Sequence, residues 1–266
     1  MSEGRLRLTI LGGFLGSGKT TWLRHQLHAG AFTNVHVVVN EAADAPVDDA
    51  LLARAGQMTL LAGACVCCDG QNVLLTALLE ICDARSRDAD TKTRLEHIVL
   101  ETSGLADPGA ILTLIQPHPI LARQNVVAET FVIVDALNGA EQVQHEMLCH
   151  KQIEAADQLI LTKTDMADPD QTARLRATLA SVAPEAVQSG ALFGSDVRLP
   201  DFDPKTDPYP LADTSDAPIH ASRLELGENA DWTAFTVWLS ALLYARGDQI
   251  VRVKGVVRTP AGRLLV

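Results

Sequence analysis

The stretch Leu11-Gly12-Gly13-Phe14-Leu15-Gly16-Ser17-Gly18-Lys19-Thr20-Thr21 decides the fold of this chain. It follows an alternating apolar run that indicates a strand and precedes an apolar-periodic segment that indicates a helix. Positions 13–20 fit the phosphate-loop pattern Gly-x-x-x-x-Gly-Lys-Thr. In such a loop, successive backbone N–H groups point at phosphate oxygens, and the following helix adds its positive dipole end. The stretch therefore predicts a nucleoside triphosphate site.

The polar and small residues of this loop have predicted roles. Lys19 is expected to reach the β- and γ-phosphates and to offset the charge that develops during hydrolysis. The hydroxyl of Thr20 is expected to bind Mg²⁺. The other nucleotide contacts are predicted to come from Gly13, Gly16, Ser17, Gly18 and Thr21.

Composition limits the class of protein. The chain has 266 residues, 47% of them hydrophobic, which is enough for one large domain or for a large domain with a smaller one. A formal net charge of −11 argues against a nucleic-acid or anionic-membrane partner, since these need a basic surface. No apolar run approaches the roughly 20 residues that span a bilayer, and the first residues lack a secretion signal. We therefore expect a cytoplasmic protein.

Strand-like and helix-like segments alternate through most of the chain, which predicts an α/β phosphate-loop fold with a mainly parallel sheet. Strands are predicted at Leu6–Leu11, Val35–Asn40, Met58–Leu61, His97–Glu101, Val126–Val134 and Gln158–Thr162. Helices are predicted at Thr20–His28, Val47–Ala55, Asn72–Ala84, Pro108–Ile115, Leu137–His145, Lys151–Ala156 and Gln171–Val182, the last with Asp170 as its N-cap.

Three parts are predicted along the chain. Residues 1–195 would form the phosphate-loop domain, and residues 196–218, rich in Pro and Asp, a linker. Residues 219–266 show a short β–α–β pattern at Ile219–Leu226, Trp232–Tyr244 and Gln249–Arg258. Because two strands and a helix bury little apolar surface, this small α+β domain is expected to be incomplete, to dock on the first domain or to pair with another chain.

Thr162-Lys163-Thr164-Asp165 follows a predicted strand and indicates recognition of guanine. The carboxylate of Asp165 can accept hydrogen bonds from guanine N1–H and the 2-amino group, and the stem of Lys163 can cover the ring. Adenine offers neither donor, so its binding would leave the acceptor unpaired, which discriminates strongly.

A second strand, His97–Glu101, ends in an acidic residue, and Gly104 follows three positions later. In phosphate-loop enzymes, an acidic residue at such a strand end lies near Mg²⁺, often through a water molecule. Glu101 is therefore predicted to position the Mg²⁺ shell or the attacking water. Gly104 would let the backbone approach the γ-phosphate.

Three cysteines, Cys65, Cys67 and Cys68, fall within four positions. Thiolates this close can surround one soft metal ion, for which Zn²⁺ and Cu(I) are candidates. A fourth ligand would come from elsewhere, and an incomplete shell suits a site that releases its ion. Buried inert cysteines and a redox pair remain alternatives. Cys82 and Cys149 are isolated and are predicted to be core or helix-face residues.

Six motifs together resemble the CobW-type GTPases, metallochaperones related to the HypB and UreG nickel-insertion proteins. They occur in the family's order, at 12–21, Val-Asn-Glu 39–41, Cys-Val-Cys-Cys 65–68, Glu-Thr-Ser-Gly-Leu-Ala-Asp-Pro 101–108, Val-Asp-Ala 134–136 and Thr-Lys-Thr-Asp 162–165. The resemblance covers nearly the whole chain, including Arg252-Val253-Lys254-Gly255-Val256, which is similar to a strand of the CobW C-terminal domain.

This resemblance implies binding of GTP or GDP with Mg²⁺, slow GTP hydrolysis, and Zn²⁺ or Co²⁺ held by Cys65, Cys67 and Cys68. It also implies that loss of the γ-phosphate reshapes the metal site and passes the ion to a client metalloenzyme. A homodimer is one option for its assembly. No glutamine or arginine finger is evident, so intrinsic turnover is expected to be slow until a partner or metal acts.

The chain departs from the family pattern in places. The stretch Ala42–Pro46 replaces the usual Phe-Gly-Glu-x-Gly, so the usual switch movement is not assured. Ala64 replaces a glycine, the linker lacks a His-rich run, and the C-terminal domain is expected to be shorter than in the family. Two other function classes fit the residues: a regulatory GTPase without metal cargo, and a phosphate-loop kinase acting on a small molecule.

Overall fold

The computed structural model divides into two compact units, Met1–Asp213 and Thr214–Val266. The residues that it describes are 6–41, 57–62, 70–88, 94–123, 126–200, 203, 205–211, 231–246, 256–259 and 262–265. Several predicted features lie outside these residues, among them the helix at Val47–Ala55, the altered stretch Ala42–Pro46 and the strand at Ile219–Leu226.

The first unit is built on an eight-stranded sheet in the order β3-β2-β4-β1-β5-β6-β7-β8, in which β8 runs antiparallel to β7 and the other pairs are parallel. The strands are β1 Leu6–Gly13, β2 Val35–Glu41, β3 Gln57–Ala62, β4 His97–Glu101, β5 Val126–Asp135, β6 Gln158–Thr162, β7 Val187–Leu192 and β8 Ser195–Val197.

Helices cover the sheet on both faces. They are α1 Lys19–Ala29, α2 Gln71–Arg87, α3 Pro108–Ile115, α4 Pro119–Arg123, α5 Gly139–His145, α6 Met147–Glu154 and α7 Pro169–Val182. In β2, Val37 and Val39 pack in the cluster that contains Trp22 of α1, whereas Val38 packs in the cluster that contains Leu74 of α2. Consecutive strand residues therefore face opposite helical layers, as burial on both sides of a parallel sheet requires.

The register of the strands determines what meets at the carboxyl edge of the sheet. Leu11 of β1 pairs with Glu101 of β4 and with Phe131 of β5, and Asp135 of β5 pairs with Thr162 of β6. The loops that follow β1, β4, β5 and β6 therefore leave the sheet side by side. Crevices at this edge are where open α/β sheets bind their ligands.

Several local predictions differ from the structure. The side chain of Asp168, not Asp170, caps α7 by accepting hydrogen bonds from the backbone N–H groups of Asp170 and Gln171 (both 3.0 Å). Pro169 is the first helical residue, a position that proline favours, so the cap falls on the residue before it. Helix α6 begins at Met147 rather than Lys151, and β7, β8 and α4 were not predicted.

In the second unit, the described residues form α8 Trp232–Arg246 and an antiparallel hairpin of β9 Val256–Thr259 and β10 Gly262–Leu265. The predicted helix is present, and a strand covers the end of the predicted Gln249–Arg258 segment. Across the described parts of both units, no helix is long and apolar enough to cross a membrane.

Candidate nucleotide-binding site

The phosphate loop curls because glycines adopt backbone angles that other residues avoid. Gly13, Gly16 and Gly18 have φ values of 135°, 72° and 97°. At Gly13 a Cβ atom would lie 2.4 Å from the carbonyl oxygen of Ile133 on the neighbouring strand, so no side chain fits there. The loop is therefore pressed against β5 and leads directly into α1, whose N-cap is Gly18.

Two side chains of the loop are placed for phosphate. The ammonium group of Lys19 donates to the carbonyl oxygens of Gly13 (2.9 Å) and Phe14 (3.2 Å), which holds it over the loop. The hydroxyl of Ser17 is 1% exposed and has no hydrogen-bond partner among the described residues. A buried hydroxyl without a partner costs free energy, and a phosphate oxygen would satisfy it. The loop therefore fits a bound polyphosphate.

Thr20 and Glu101 meet next to this loop. The hydroxyl of Thr20 donates to Oε1 of Glu101 at 2.5 Å, and the carboxyl group is buried at the end of β4. Mg²⁺ prefers oxygen ligands and is commonly held by one or two protein groups together with phosphates and waters. The pair fits that donor set. Among the described residues, no group of three or more His, Cys, Asp or Glu could form a fuller metal cage.

The turn after β6 is tied to the phosphate loop. Lys163 adopts a left-handed backbone conformation (φ 56°), and its ammonium group donates to Gly16 O at 2.9 Å and to Asp135 Oδ2 at 2.6 Å. Thr162 Oγ1 donates to Ser17 O at 2.8 Å. The predicted base-binding turn and the predicted phosphate loop therefore form one structure.

Asp135 is a site residue to which the sequence assigned no role of its own. It is 2% exposed, and it also accepts hydrogen bonds from Leu137 N (2.9 Å) and Asn138 Nδ2 (2.8 Å). Burial pushes the pKa of its carboxyl group up, but the hydrogen bonds from Lys163, Asn138 and Leu137 outweigh burial and lower the pKa. Asp135 is therefore an anion that holds Lys163 in place.

Asp165 and Phe193 are both exposed at the same edge of the sheet. Thr162 pairs with Ala191 of β7, so the turn between β7 and β8 lies beside the turn that carries Asp165. Phe193 forms this second turn with Gly194, and its side chain is 79% exposed. The turn is fixed to α1, because Gln26 Nε2 donates to Gly194 O at 2.9 Å. Phe193 was not predicted as a site residue, because β7 was not predicted.

The loop after β4 contacts the phosphate loop through Gly104. A Cβ atom at Gly104 would lie 2.7 Å from Leu15 Cδ2 and 2.8 Å from Leu15 N. Thr102 anchors the start of the loop, since its N–H and its hydroxyl both donate to Leu11 O (2.9 and 3.0 Å). The backbone at Gly104 therefore lies close to the phosphate loop, and its approach to the γ-phosphate stays a prediction.

The predicted metal ligands Cys65, Cys67 and Cys68 lie outside the described residues. The strand that precedes them, β3, ends at Ala62, and α2 begins after them at Gln71. Cys82 and Cys149 are buried free thiols, which confirms their prediction as core residues. Burial raises the pKa of the Cys149 thiol to about 12, with Glu146 adding to the effect, so this thiol is neutral and inert.

Comparisons with known proteins also indicate a nucleotide-binding domain. The family described as CobW/HypB/UreG, nucleotide-binding domain, matches residues 7–189. The zinc chaperone YjiA of Escherichia coli K12 is 31% identical over 263 residues, which cover 95% of this chain and 81% of that protein. The zinc chaperone CobW of Pseudomonas aeruginosa is 31% identical over 228 residues, which cover 74% of this chain and 59% of that one.

A solved structure confirms the fold. The Zn(II)-bound YjiA GTPase from E. coli superposes with a TM-score of 0.54 at 22% identity, over 93% of this chain and 80% of that one. The predicted phosphate-loop fold with a mainly parallel sheet is thereby confirmed. The match to the family model and the 31% identity to YjiA confirm the predicted family resemblance. The chain belongs to the CobW/HypB/UreG family, and its residues 7–189 are the family's nucleotide-binding domain.

Proposed function

We propose that this chain is a GTP-hydrolysing metallochaperone whose nucleotide state controls the binding and release of a metal ion. The observation that carries the proposal is the convergence of the phosphate loop, the Thr20–Glu101 pair and the Lys163–Asp165 turn at one edge of the sheet. Family membership supports the predicted GTPase metallochaperone class, and relatives named as zinc chaperones favour zinc as the cargo.

The phosphate loop binds the triphosphate of GTP. Its backbone N–H groups and the start of α1 face the phosphate oxygens, and the buried hydroxyl of Ser17 gains a partner. Gly13, Gly16, Gly18 and Thr21 complete this cradle. Water attacks the γ-phosphorus in line with the bond to the β–γ bridging oxygen, and that bond breaks. Lys19 offsets the charge that develops on the phosphoryl oxygens.

Thr20 and Glu101 would hold Mg²⁺ through their oxygen atoms. When bound, the ion supplies positive charge that neutralises the phosphates. Glu101 also fixes the rotamer of Thr20 through their hydrogen bond, so the oxygen donors are positioned before nucleotide arrives. Gly104 brings its backbone to the γ-phosphate, which makes the loop after β4 sensitive to hydrolysis.

Guanine is selected at the edge beyond β6. The exposed carboxylate of Asp165 accepts the N1–H and 2-amino donors of guanine, and Lys163, held by Asp135 and Gly16, covers one ring face. We assign the neighbouring face or the ribose to Phe193, whose exposed ring lies at the same edge. Stacking of a base on an aromatic side chain contributes about 1–3 kcal/mol.

The metal cargo is held by Cys65, Cys67 and Cys68. Their segment follows β3, and β3 is separated from β4 by one strand. Ala62 is roughly 12 Å from Glu101 at the usual strand spacing and rise, because it lies two residues beyond the level of Glu101. This is close enough for movement around Glu101 and Gly104 to reach the start of the segment. Because thiolate ligands must stay reduced, we assign the protein to the cytoplasm.

The cargo is delivered to a client metalloenzyme. Three thiolates leave one position of a tetrahedral zinc ion for another ligand, and a ligand from the client would begin the transfer. Hydrolysis of GTP would then weaken the donor site while the client site forms.

Lys19→Ala tests the nucleotide-dependent part of this function. The variant should lose GTP hydrolysis with little loss of fold, because it removes the charge that would act on the phosphates and leaves the glycines that shape the loop in place. The matched control is Lys205→Ala, which removes an exposed ammonium group outside the site. Turnover of Lys19→Ala equal to that of the wild type would refute the assignment.

A further inference from the structure

Gln152 is a buried polar residue of α6 that no predicted site includes. Its side chain is 0% exposed, and its amide nitrogen donates to the carbonyl oxygens of Gly104 (3.1 Å) and Ala106 (2.8 Å). Carbonyl oxygens only accept hydrogen bonds, so the amide must turn its nitrogen toward them, and these two partners determine its orientation. Gln152 is therefore anchored to the loop that follows β4.

This loop is held from two sides. On one side, Gly104 lies so close to the backbone of Leu15 in the phosphate loop that no side chain fits between them. On the other side lies Gln152. Within the turn itself, Ala106 N donates to Ser103 O at 3.0 Å, and Leu105 N donates to Ser103 Oγ at a longer 3.3 Å. The anchor from α6 therefore reinforces a short turn at the point where it meets the phosphate loop.

We propose that Gln152 is the positioning residue for Gly104 in GTP hydrolysis. The proposal rests on the function proposed above, in which the backbone at Gly104 meets the γ-phosphate. By holding the carbonyl groups of Gly104 and Ala106, Gln152 sets the distance between that backbone and the phosphate loop. It touches no reacting atom and acts through Gly104.

The same residue joins the two halves of the site. Helix α6 ends at Glu154 and leads within a few residues into β6, which ends at Thr162 immediately before Lys163. A shift of the loop around Gly104 would thus be transmitted through Gln152 to the element that carries the guanine-binding turn.

The positioning role of Gln152 can be tested separately from its packing, because its amide nitrogen and amide oxygen differ in their contacts. Oε1 is buried and has no hydrogen-bond partner among the described residues, so the side chain contributes its polar contacts through the nitrogen alone. Gln152→Met keeps most of the volume and removes the donor. Gln152→Glu keeps the shape, but an ionised carboxylate would face two carbonyl oxygens and repel them. When protonated, that side chain regains one O–H donor.

The experiment measures single-turnover GTP hydrolysis and the affinities for GTP and GDP. We expect Gln152→Met to slow hydrolysis about 10- to 100-fold, as misplacement of a contact group does, while GDP affinity stays within about twofold of the wild type. Gln152→Glu should be equally slow near pH 8 and should recover, relative to the wild type, near pH 6, as its carboxyl group becomes protonated. The matched control is Gln144→Met on α5, whose amide nitrogen donates to Ala140 O within its own helix, and it should hydrolyse GTP normally.

Three outcomes overturn the proposal. Hydrolysis within about twofold of the wild-type rate in Gln152→Met would show that the anchor is not needed. Parallel loss of GDP affinity, GTP affinity and melting temperature, without recovery of Gln152→Glu at low pH, would show a purely structural role. A wild-type protein that does not hydrolyse GTP would remove the proposed function as well, whereas the first two outcomes leave that function standing.

Discussion

Gly104→Ala is the substitution whose effect the structure defines most sharply. The φ angle of Gly104 lies outside the left-handed region, so alanine is conformationally allowed there and the whole effect is steric. The new methyl group would lie 2.7 Å from Leu15 Cδ2, 2.8 Å from Leu15 N and 2.9 Å from Leu15 Cα. Two of these atoms are backbone of the phosphate loop and cannot turn away, so the loop after β4 must move outward.

The cost of such overpacking is about 1–3 kcal/mol. If the loop must return to its place for hydrolysis, this cost appears in the barrier and slows the reaction roughly 5- to 150-fold. GDP affinity should change little, since Gly104 is assigned to the γ-phosphate. Single-turnover hydrolysis and calorimetric titration of GDP measure the two quantities.

Gly109→Ala is the matched control, because its methyl group would lie 3.1 Å from the side-chain Oδ1 of Asp107 and farther from other atoms, at a helical position. We expect it to hydrolyse GTP at the wild-type rate. Full activity of Gly104→Ala would refute the assignment of Gly104 to the γ-phosphate, and so would an equal loss of GTP and GDP affinity.

Four further predictions concern other residues of the protein. Asp165→Asn should lower the affinity for GTP far more than the affinity for ATP. An equal loss of both affinities in competition titrations would contradict guanine recognition. Phe193→Ala should lower the affinities for GTP and ATP about fivefold or more, but it should leave the affinity for inorganic triphosphate unchanged. Cys67→Ser should lower Zn²⁺ affinity against a chelator, and unchanged affinity would exclude the cysteine site. Burial, together with the positive charge of Arg7, lowers the pKa of the His97 side chain to about 4. Neutral His97 therefore makes its full contribution to the unfolding free energy above about pH 6.5, and this contribution is lost as the pH falls toward 4. In His97→Gln, the unfolding free energy should therefore change less than in the wild type between about pH 6.5 and pH 4.

The phosphate loop and the central strands were predictable because their signals are local. Val35–Asn40 and Gln158–Thr162 are short apolar runs of the kind that parallel strands need when they are buried on both faces. Lys19 and Thr20 follow from a spacing that the curled loop imposes. Glu101 follows from its place at a strand end, and the structure puts it in hydrogen-bond contact with Thr20.

Strand β7 was missed because it lacks such a run. Its centre is Gln188-Ser189-Gly190. Leu199 and Val197 pack closely against Gly190, where a side chain would otherwise lie. This strand is recognisable only from its neighbours, and Phe193 was missed with it. The roles of Gln152 and Asp135 were hidden for a related reason, since their partners Gly104 and Lys163 lie 48 and 28 positions away.

If GTP and GDP change the hold of the protein on its metal ion, the metal ion must change the relative affinity for GTP and GDP by the same factor. Zn²⁺ affinity should be determined by competition with a chelator in the presence of GDP and of a non-hydrolysable GTP analogue, with Cys67→Ser as the reference for nonspecific binding. We expect the two Zn²⁺ affinities to differ by about fivefold or more, and we expect Zn²⁺ to change the ratio of GTP-analogue to GDP affinity by the same factor. Equal Zn²⁺ affinities in the two nucleotide states would contradict coupling between the nucleotide and metal sites.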